Sequence, residues 1–438
     1  MVLNLIDMDN QKHNKIFGIF LVNLIKKYYF SRFYSIFVAS SVFFSYITYN
    51  FEFWRVISPW TELIKLSHSQ LFNGIILSVF KPFLHVEKFA GEVCGYECID
   101  YVNRIAWAII IYFLCLLIVE RLKIYFLNSN SKILKYLSFT ILLTLPFLIR
   151  SASWGTIVDP IYALGILLVL IASEELFIPK KNSSSKKLLS LKKVAYAILG
   201  IWLVDLSRPY GLIAVSMFAV LFVFRKSYKL LISLLLGLLL AMPYHFVHYK
   251  KTGNLLFSNF TGCYLASVTK PKNYIPPNDK KSFSSQMEVL EICNKAKKDV
   301  FNEYYFANPK LTLKKIFQFD RIQQILFPPA FAPYKEIPKF TNFIGMRDWS
   351  ITIILYVFYL AVIFIFLINL KSSQINLMTK LVLIFIILLP LFSSLIAHHG
   401  KEALRHTFHS YIPMLFMSLE LGFFNLKAKK STKLINLN

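Results

Sequence analysis

This sequence is short of charge: 16% of its residues are Asp, Glu, Lys or Arg, against about 25% in a soluble globular protein. Apolar side chains make up 56% of the 438 residues. At that length a water-soluble fold would have to hide more apolar surface than its interior can hold. The shortage of charge therefore excludes an ordinary soluble enzyme, a disordered chain and a small secreted scaffold. It predicts an all-α protein that crosses a membrane many times. Acidic residues are scarcer still, 23 Asp and Glu against 49 Lys and Arg, a net charge of +26. In a soluble protein that excess would suggest nucleic acid, but the placement of the cations gives a different account. No internal repeat stands out, and the one low-complexity run is Ser183-Ser184-Ser185 between lysines. Ile16 to Ile25 is apolar but short, is broken by Asn23 and lacks a following small-residue cleavage site. It reads as an interfacial helix and not as a signal peptide.

A membrane helix needs roughly 20 mostly apolar residues. Candidate spans fall at about 33–50, 104–119, 133–149, 155–177, 193–206, 209–224, 229–246, 350–370, 377–397 and 407–424. Cytoplasmic connections collect Lys and Arg. The N-terminal segment carries Lys12, Lys15, Lys26, Lys27 and Arg32, and the second connection Arg121, Lys123, Lys132 and Lys135. Six lysines from Lys180 to Lys193 follow the fourth span, and Arg225, Lys226 and Lys229 the sixth. Lys371 and Lys380 lie about the eighth connection, and Lys427, Lys429, Lys430 and Lys433 in the tail. About ten spans with both termini cytoplasmic fit this alternation, and they explain most of the positive charge without nucleic acid.

The predicted organisation is a cytoplasmic segment at 1–32, a transmembrane core at 33–246 with a first outer loop at 51–103, a large outer loop at 247–349, C-terminal spans at 350–425 and a basic tail at 426–438. Outer loops of this length are usually functional or separately structured. The second has a helical-looking charged stretch from Ser285 to Asn302.

Ionisable residues beside apolar spans are expensive, and so are site candidates. Four groups map to the outer face: Glu62 in SPWTELIKLSHSQLFNG, Asp159 in LIRSASWGTIVDPIYALG, Asp205 and Arg208 in LVDLSRPYGLIA, and Lys401, Glu402, Arg405 and His406 in HHGKEALRHTFHSYIPM. Each has a plainer reading. Asp205 and Arg208 are three apart and could pair on one helix face. Asp159-Pro160 is also a good helix N-terminus, and Pro209 a helix start. Glu402 and Arg405 could form another local pair. His398, His399, His406 and His409 invite a metal, although adjacent histidines suit one helix face poorly. Trp54, Trp60 and Tyr101 read as an interfacial belt. Cys94, Cys98, Cys263 and Cys293 fall in outer loops, where disulfides are possible but their pairing is open, and Cys115 falls within a span.

Taken in order, these segments resemble the C-type membrane glycosyltransferases, nearest the protein O-mannosyltransferase and lipid A aminoarabinose transferase branch. SPWTELIKLSHSQLFNG is similar to the family's acidic first outer loop, and TIVDPIYALGILLVL to the acidic residue heading a span. SRPYGLIAVSMF resembles its Arg-Pro-x-Gly helix entry, and MPYHFVHYKKTGNLLFSNFTGCYL the mouth of its large loop. YYFANPKLTLKKIFQF looks like its Asn-Pro helix, and EALRHTFHSYIPMLF like its Glu-x-x-Arg segment before the last core span. The resemblance covers roughly residues 50–425. Two positions depart from the pattern: Thr61 precedes Glu62 where members carry Asp or an Asp-Glu pair, and His406 replaces an aromatic.

The resemblance implies a sugar donor linked to polyprenyl phosphate, an acceptor that is a lipid, glycan or protein, and a site facing out of the bacterial cytoplasmic membrane. Within it Glu62 is the expected catalytic base, with Asp159 in reserve. Arg208 and Arg405, with Lys401 as a weaker choice, are expected to hold the donor phosphate, since the guanidinium fork matches phosphate geometry. Asp159, Glu402 and His406 are expected at the sugar or at a divalent cation, the one candidate cofactor. Two other classes compete. A polysaccharide polymerase or ligase shares the lipid-linked donor but not the acidic first loop. A lipid or solute transporter often carries inverted repeats and mid-membrane charges, and neither is read here.

Overall fold

The structure is a computed structural model, and it describes residues 34–37, 39–40, 109–123, 158–177, 190–208, 210–252, 261–269, 286–318, 343–373, 375–397 and 410–422. Among the described residues every regular element is helical and no strand occurs. The helices are α1 (109–123), α2 (Val158–Ala172), α3 (Leu191–Ser207), α4 (Gly211–Phe224), α5 (Tyr228–Thr252), α6 (Thr261–Thr269), α7 (Gln286–Val300), α8 (Pro309–Ile316), α9 (Phe343–Ser372), α10 (Leu377–Ala397) and α11 (410–422). A 3₁₀ turn, Glu174–Phe177, follows α2, and a π-helical turn, Phe301–Phe306, joins α7 to α8.

Local chemistry sets several boundaries. Ser190 caps α3 by accepting from the Lys193 amide, and Asn376 Oδ1 accepts from the Thr379 amide at 2.9 Å at the start of α10. α4 closes in a Schellman motif: the Ser227 amide donates to the Phe222 carbonyl at 2.8 Å and the Lys226 amide to the Val223 carbonyl at 3.0 Å. Lys226 adopts φ 53° there, in the left-handed region. The tight turn returns the chain at once into α5.

Within α5, Tyr228–Phe246 is long and apolar enough to cross a membrane, and it alone is so among the described residues. Ile161–Ala172, Gly211–Phe224, Val357–Lys371 and Leu377–Ser393 are shorter apolar stretches. Two boundaries differ from the sequence reading. α5 runs on to Thr252, with Pro243 inside it, and α9 begins at Phe343, so helix extends into both ends of the loop expected at 247–349. Hydropathy does not mark those turns, because their polar residues are compatible with helix but not with hydrocarbon. The charged stretch expected from Ser285 to Asn302 is α7 and the beginning of the π turn.

One apolar core joins α1, α2, α3, α4, α5, α9, α10 and α11. From Ile161 to Ala172 in α2, and from Ser410 to Gly422 in α11, every residue is buried. Helices apolar on all sides belong at the centre of such a bundle. α5 and α9 instead turn apolar stripes outward: Ile232, Leu235, Leu236, Leu239 and Leu240 on one, Val357, Leu360, Phe364 and Leu367 on the other. The spacings of three and four residues put each stripe on one helix face.

Small residues set the closest contact. A Cβ on Gly200 would lie 2.7 Å from the Gly165 carbonyl oxygen and 2.7 Å from Val169 Cγ2. α2 and α3 thus meet backbone to backbone, the packing that helices use where lipid removes the hydrophobic drive for association.

The contacts also give helix directions. Gly237 of α5 lies against Ile198 and Ile201 of α3, and further along His245 reaches Asp205, so α3 and α5 run parallel. Tyr359 of α9 stacks on Tyr411 of α11 at 4.0 Å, and Asn369 donates to the Ser418 carbonyl, so these two also run parallel. At one end of the bundle Arg121 Nε sits 3.1 Å from Glu420 Oε1 and its Nη2 3.4 Å from Glu174 Oε2. There too Lys193 Nζ meets Glu175 Oε1 at 2.9 Å, and Arg225 Nη2 donates to the Leu176 carbonyl at 2.7 Å. The 3₁₀ turn after α2 is thereby tied to α1, to α3 and to the end of α4, and Arg121 links it onward to α11. These are ends that the lysine and arginine pattern assigns to the cytoplasm.

Candidate functional site

The other end of α3 holds the polar centre. α3 finishes at Ser207, and Arg208 caps it in extended backbone, φ −146° and ψ 146°. The chain then enters α4 at Gly211, whose amide donates to the Arg208 carbonyl at 2.8 Å. A Cβ on Gly211 would collide with the Val204 carbonyl, so only glycine lets α4 start directly against the last turn of α3. That approach fixes Arg208 at the apex between the two helices. Arg208 is 6% exposed. The carbonyl end of α3 favours a cation in this place.

Asp205, three residues earlier, is buried as well. Its Oδ2 lies 2.6 Å from Nε2 of His245 in α5, a bond across 40 residues of sequence. Oδ1 of Asp205 has no hydrogen-bond partner among the described residues. A buried carboxylate needs such a partner, because desolvation without one is costly. His245 follows Pro243 by two residues, so the bond pins the part of α5 beyond its proline to the end of α3. Sequence reading named Asp205 and Arg208 and weighed pairing between them. The described partner of Asp205 is His245, in the segment MPYHFVHYKK. Its one sequence signal was a polar residue just past a proline at the end of an apolar run.

The head of α2 joins the same end. Tyr162, fully buried, packs edge-on to Tyr210 with ring centroids 5.1 Å apart. Asp159 is in the first turn of α2, one turn before Tyr162, so its backbone lies beside the α3–α4 apex; its side chain is outside the described atoms. Pro209, Glu62, Lys401, Glu402, Arg405 and His406 lie outside the described residues, as do Cys94 and Cys98. Of the seven candidate positions for donor, base and sugar, Arg208 is therefore placed in full and Asp159 by backbone.

The described part of the large loop is a compact unit. A disulfide joins Cys263 of α6 to Cys293 of α7, which resolves one pairing that the sequence left open. Lys315 of α8 donates to the Thr269 carbonyl at the end of α6, and to the Tyr304 hydroxyl at 3.1 Å. Among the described residues no group of three or more His, Cys, Asp or Glu side chains is gathered as a metal would require. No protein-family model, no curated protein and no solved structure matches the chain.

Proposed function

We propose that the chain is an integral membrane glycosyltransferase that moves a sugar from a polyprenyl-phosphate-linked donor to a lipid, glycan or protein acceptor at the outer face of the cytoplasmic membrane. The observation that carries the reading is Arg208. It is a buried cation held at a glycine-tight helix apex, beside the buried Asp205–His245 pair and the head of α2, at the bundle end opposite the Arg121–Glu420 junction. Charge in such a place is expensive and marks a functional site by default. The outward apolar faces of α5 and α9 support placement in lipid.

In this reading Arg208 holds the donor phosphate. As the acceptor oxygen attacks the anomeric carbon, the bond from that carbon to the phosphate oxygen breaks, and its electron pair stays on the phosphate. Arg208 stabilises the charge that builds there, with Arg405 and Lys401 in support. Glu62 takes the proton of the acceptor hydroxyl, and Asp159 is the reserve base. Asp159, Glu402 and His406 bind sugar hydroxyls or a divalent cation, which would add Lewis-acid stabilisation at the phosphate.

The test is transfer of label from polyprenyl-phosphate sugars to candidate acceptors by the purified protein in lipid. Wild type gives product, whereas Glu62→Gln and Arg208→Ala give none at unchanged insertion and protein level. Full activity in either variant removes that residue from the mechanism. A proton-coupled transporter is the second reading. It is favoured by the buried Asp205–His245 pair, since such pairs also serve as proton relays. Proton-driven uptake into sealed vesicles, with no glycosyl transfer, would select it.

A further inference from the structure

We infer that α8 is a lipid-surface anchor, docking the disulfide-linked loop unit onto anionic headgroups. This rests on the membrane placement above but concerns a surface which that placement does not involve. α8 reads PKLTLKKI, with Asn308 before it and Phe317 after it. Its inward side is Thr312 and Ile316, both buried. At 100° per residue, Lys310, Leu313, Lys314 and Phe317 fall together on the opposite side. All four are exposed, Leu313 at 56% and Phe317 at 50%. Phe306, 75% exposed, stands just before the helix, and Leu311, 44% exposed, flanks the stripe. Large apolar groups that open to solvent beside lysines match an interfacial helix, with the rings entering the headgroup boundary and the ammonium groups at the phosphates.

Charge selects the occupant. From Tyr304 to Gln318 the chain carries Lys310, Lys314 and Lys315 and no acidic residue. Lys315 is turned inward to the Thr269 carbonyl and to Tyr304, and its ammonium lies 4.4 Å from the Tyr304 ring centroid. One lysine thus fastens α8 to α6, and the other two face out with the apolar side chains. α6 in turn packs on α10 of the helical bundle, so the unit is carried on a helix of the core. A protein partner would be expected to meet this stripe with carboxylates; a bilayer rich in anionic lipid supplies phosphates and hydrocarbon together.

The experiment is photocrosslinking of the full chain in nanodiscs. p-Benzoylphenylalanine replaces Leu313 or Phe317 in turn, and adducts are identified by mass spectrometry. Replacement of Leu239 on α5 is the hydrocarbon control, and of the exposed Asn302 in the π turn the aqueous control. Expected are phospholipid adducts at 313, 317 and 239 but not at 302. Lys310→Glu with Lys314→Glu should lower the yield at 317 roughly tenfold in phosphatidylglycerol-rich discs, with little change in pure phosphatidylcholine. Lipid adducts at 239 but not at 313 or 317 overturn the anchor and leave the membrane reading standing. Adducts at 313 and 317 to a second copy or another protein also overturn it, as does a yield at 302 equal to that at 317. Absence of lipid adducts at 239 removes both readings.

Discussion

Removing the imidazole of His245 is the most informative single perturbation. The His245–Asp205 bond is 2.6 Å long, and both side chains are buried, at 6% and 1% exposure. His245→Ala strands the Asp205 carboxylate, whose other oxygen has no partner among the described residues. Breaking a buried pair from one side costs about 3–5 kcal/mol in soluble proteins. Interhelical polar couplings within membranes are smaller, about 0.6 kcal/mol on average and about 1.7 kcal/mol at most. The two figures describe different quantities, and a double-mutant cycle separates them. His245→Ala should destabilise by about 3 kcal/mol or more, Asp205→Ala by less, because an imidazole with two ring nitrogens is cheaper to strand than a carboxylate. The coupling between them should be about 1–2 kcal/mol. Reversible unfolding in mixed micelles, followed by far-UV circular dichroism, provides all four corners of the cycle. Additive single effects, with coupling under about 0.3 kcal/mol, would show that the bond does not hold α3 to α5.

Other expectations follow from the same contacts. Gly200→Leu should separate α2 from α3, since even a Cβ there lies 2.7 Å from the Gly165 carbonyl, and should abolish stable folding as read by detergent-resistant monodispersity. Gly200→Ala should cost about 1–3 kcal/mol in the same unfolding assay. Glu420→Gln should destabilise more than Glu175→Gln, because Glu420 is buried against Arg121 at 6% exposure while Glu175 is 39% exposed in its pair with Lys193. Equal melting temperatures would contradict that ranking. Reduction of the Cys263–Cys293 bond should increase proteolysis of residues 261–317 while α3 to α5 stay protected, read as fragment masses.

The all-helical character of the described residues was legible in the sequence, because apolar runs of that length suit helices and not strands. Long apolar runs predicted helices, and α10 falls on the interval read from hydropathy, 377–397. Cations flagged the ends at which Arg121, Lys193 and Arg225 make their ties. The acidic partners there, Glu174, Glu175 and Glu420, were passed over, since acids contribute little to a topology rule based on Lys and Arg. Asp205 and Arg208 were legible as polar residues at a span end. Their environment was not, because the side chain that binds Asp205 comes from 40 residues away and depends on the parallel packing of α3 and α5. Local spacing allowed, among other readings, a pair three residues apart. The extended backbone at Arg208, forced by the contact of Gly211 with α3, takes it out of helical register with Asp205. The Cys263–Cys293 pairing was hidden for the same reason, since it depends on how α6 meets α7.

Sidedness tests the central claim most directly. Single cysteines at position 250, exposed near the end of α5 that holds His245, and at 399 and, separately, at 121 and 226 can be challenged in intact cells with a membrane-impermeant maleimide, before and after permeabilisation. Labelling of 250 and 399 from outside, and of 121 and 226 only after permeabilisation, is the predicted result. Opposite sidedness for 250 and 399, or outside labelling of 121 together with 250, would contradict a single outward-facing site.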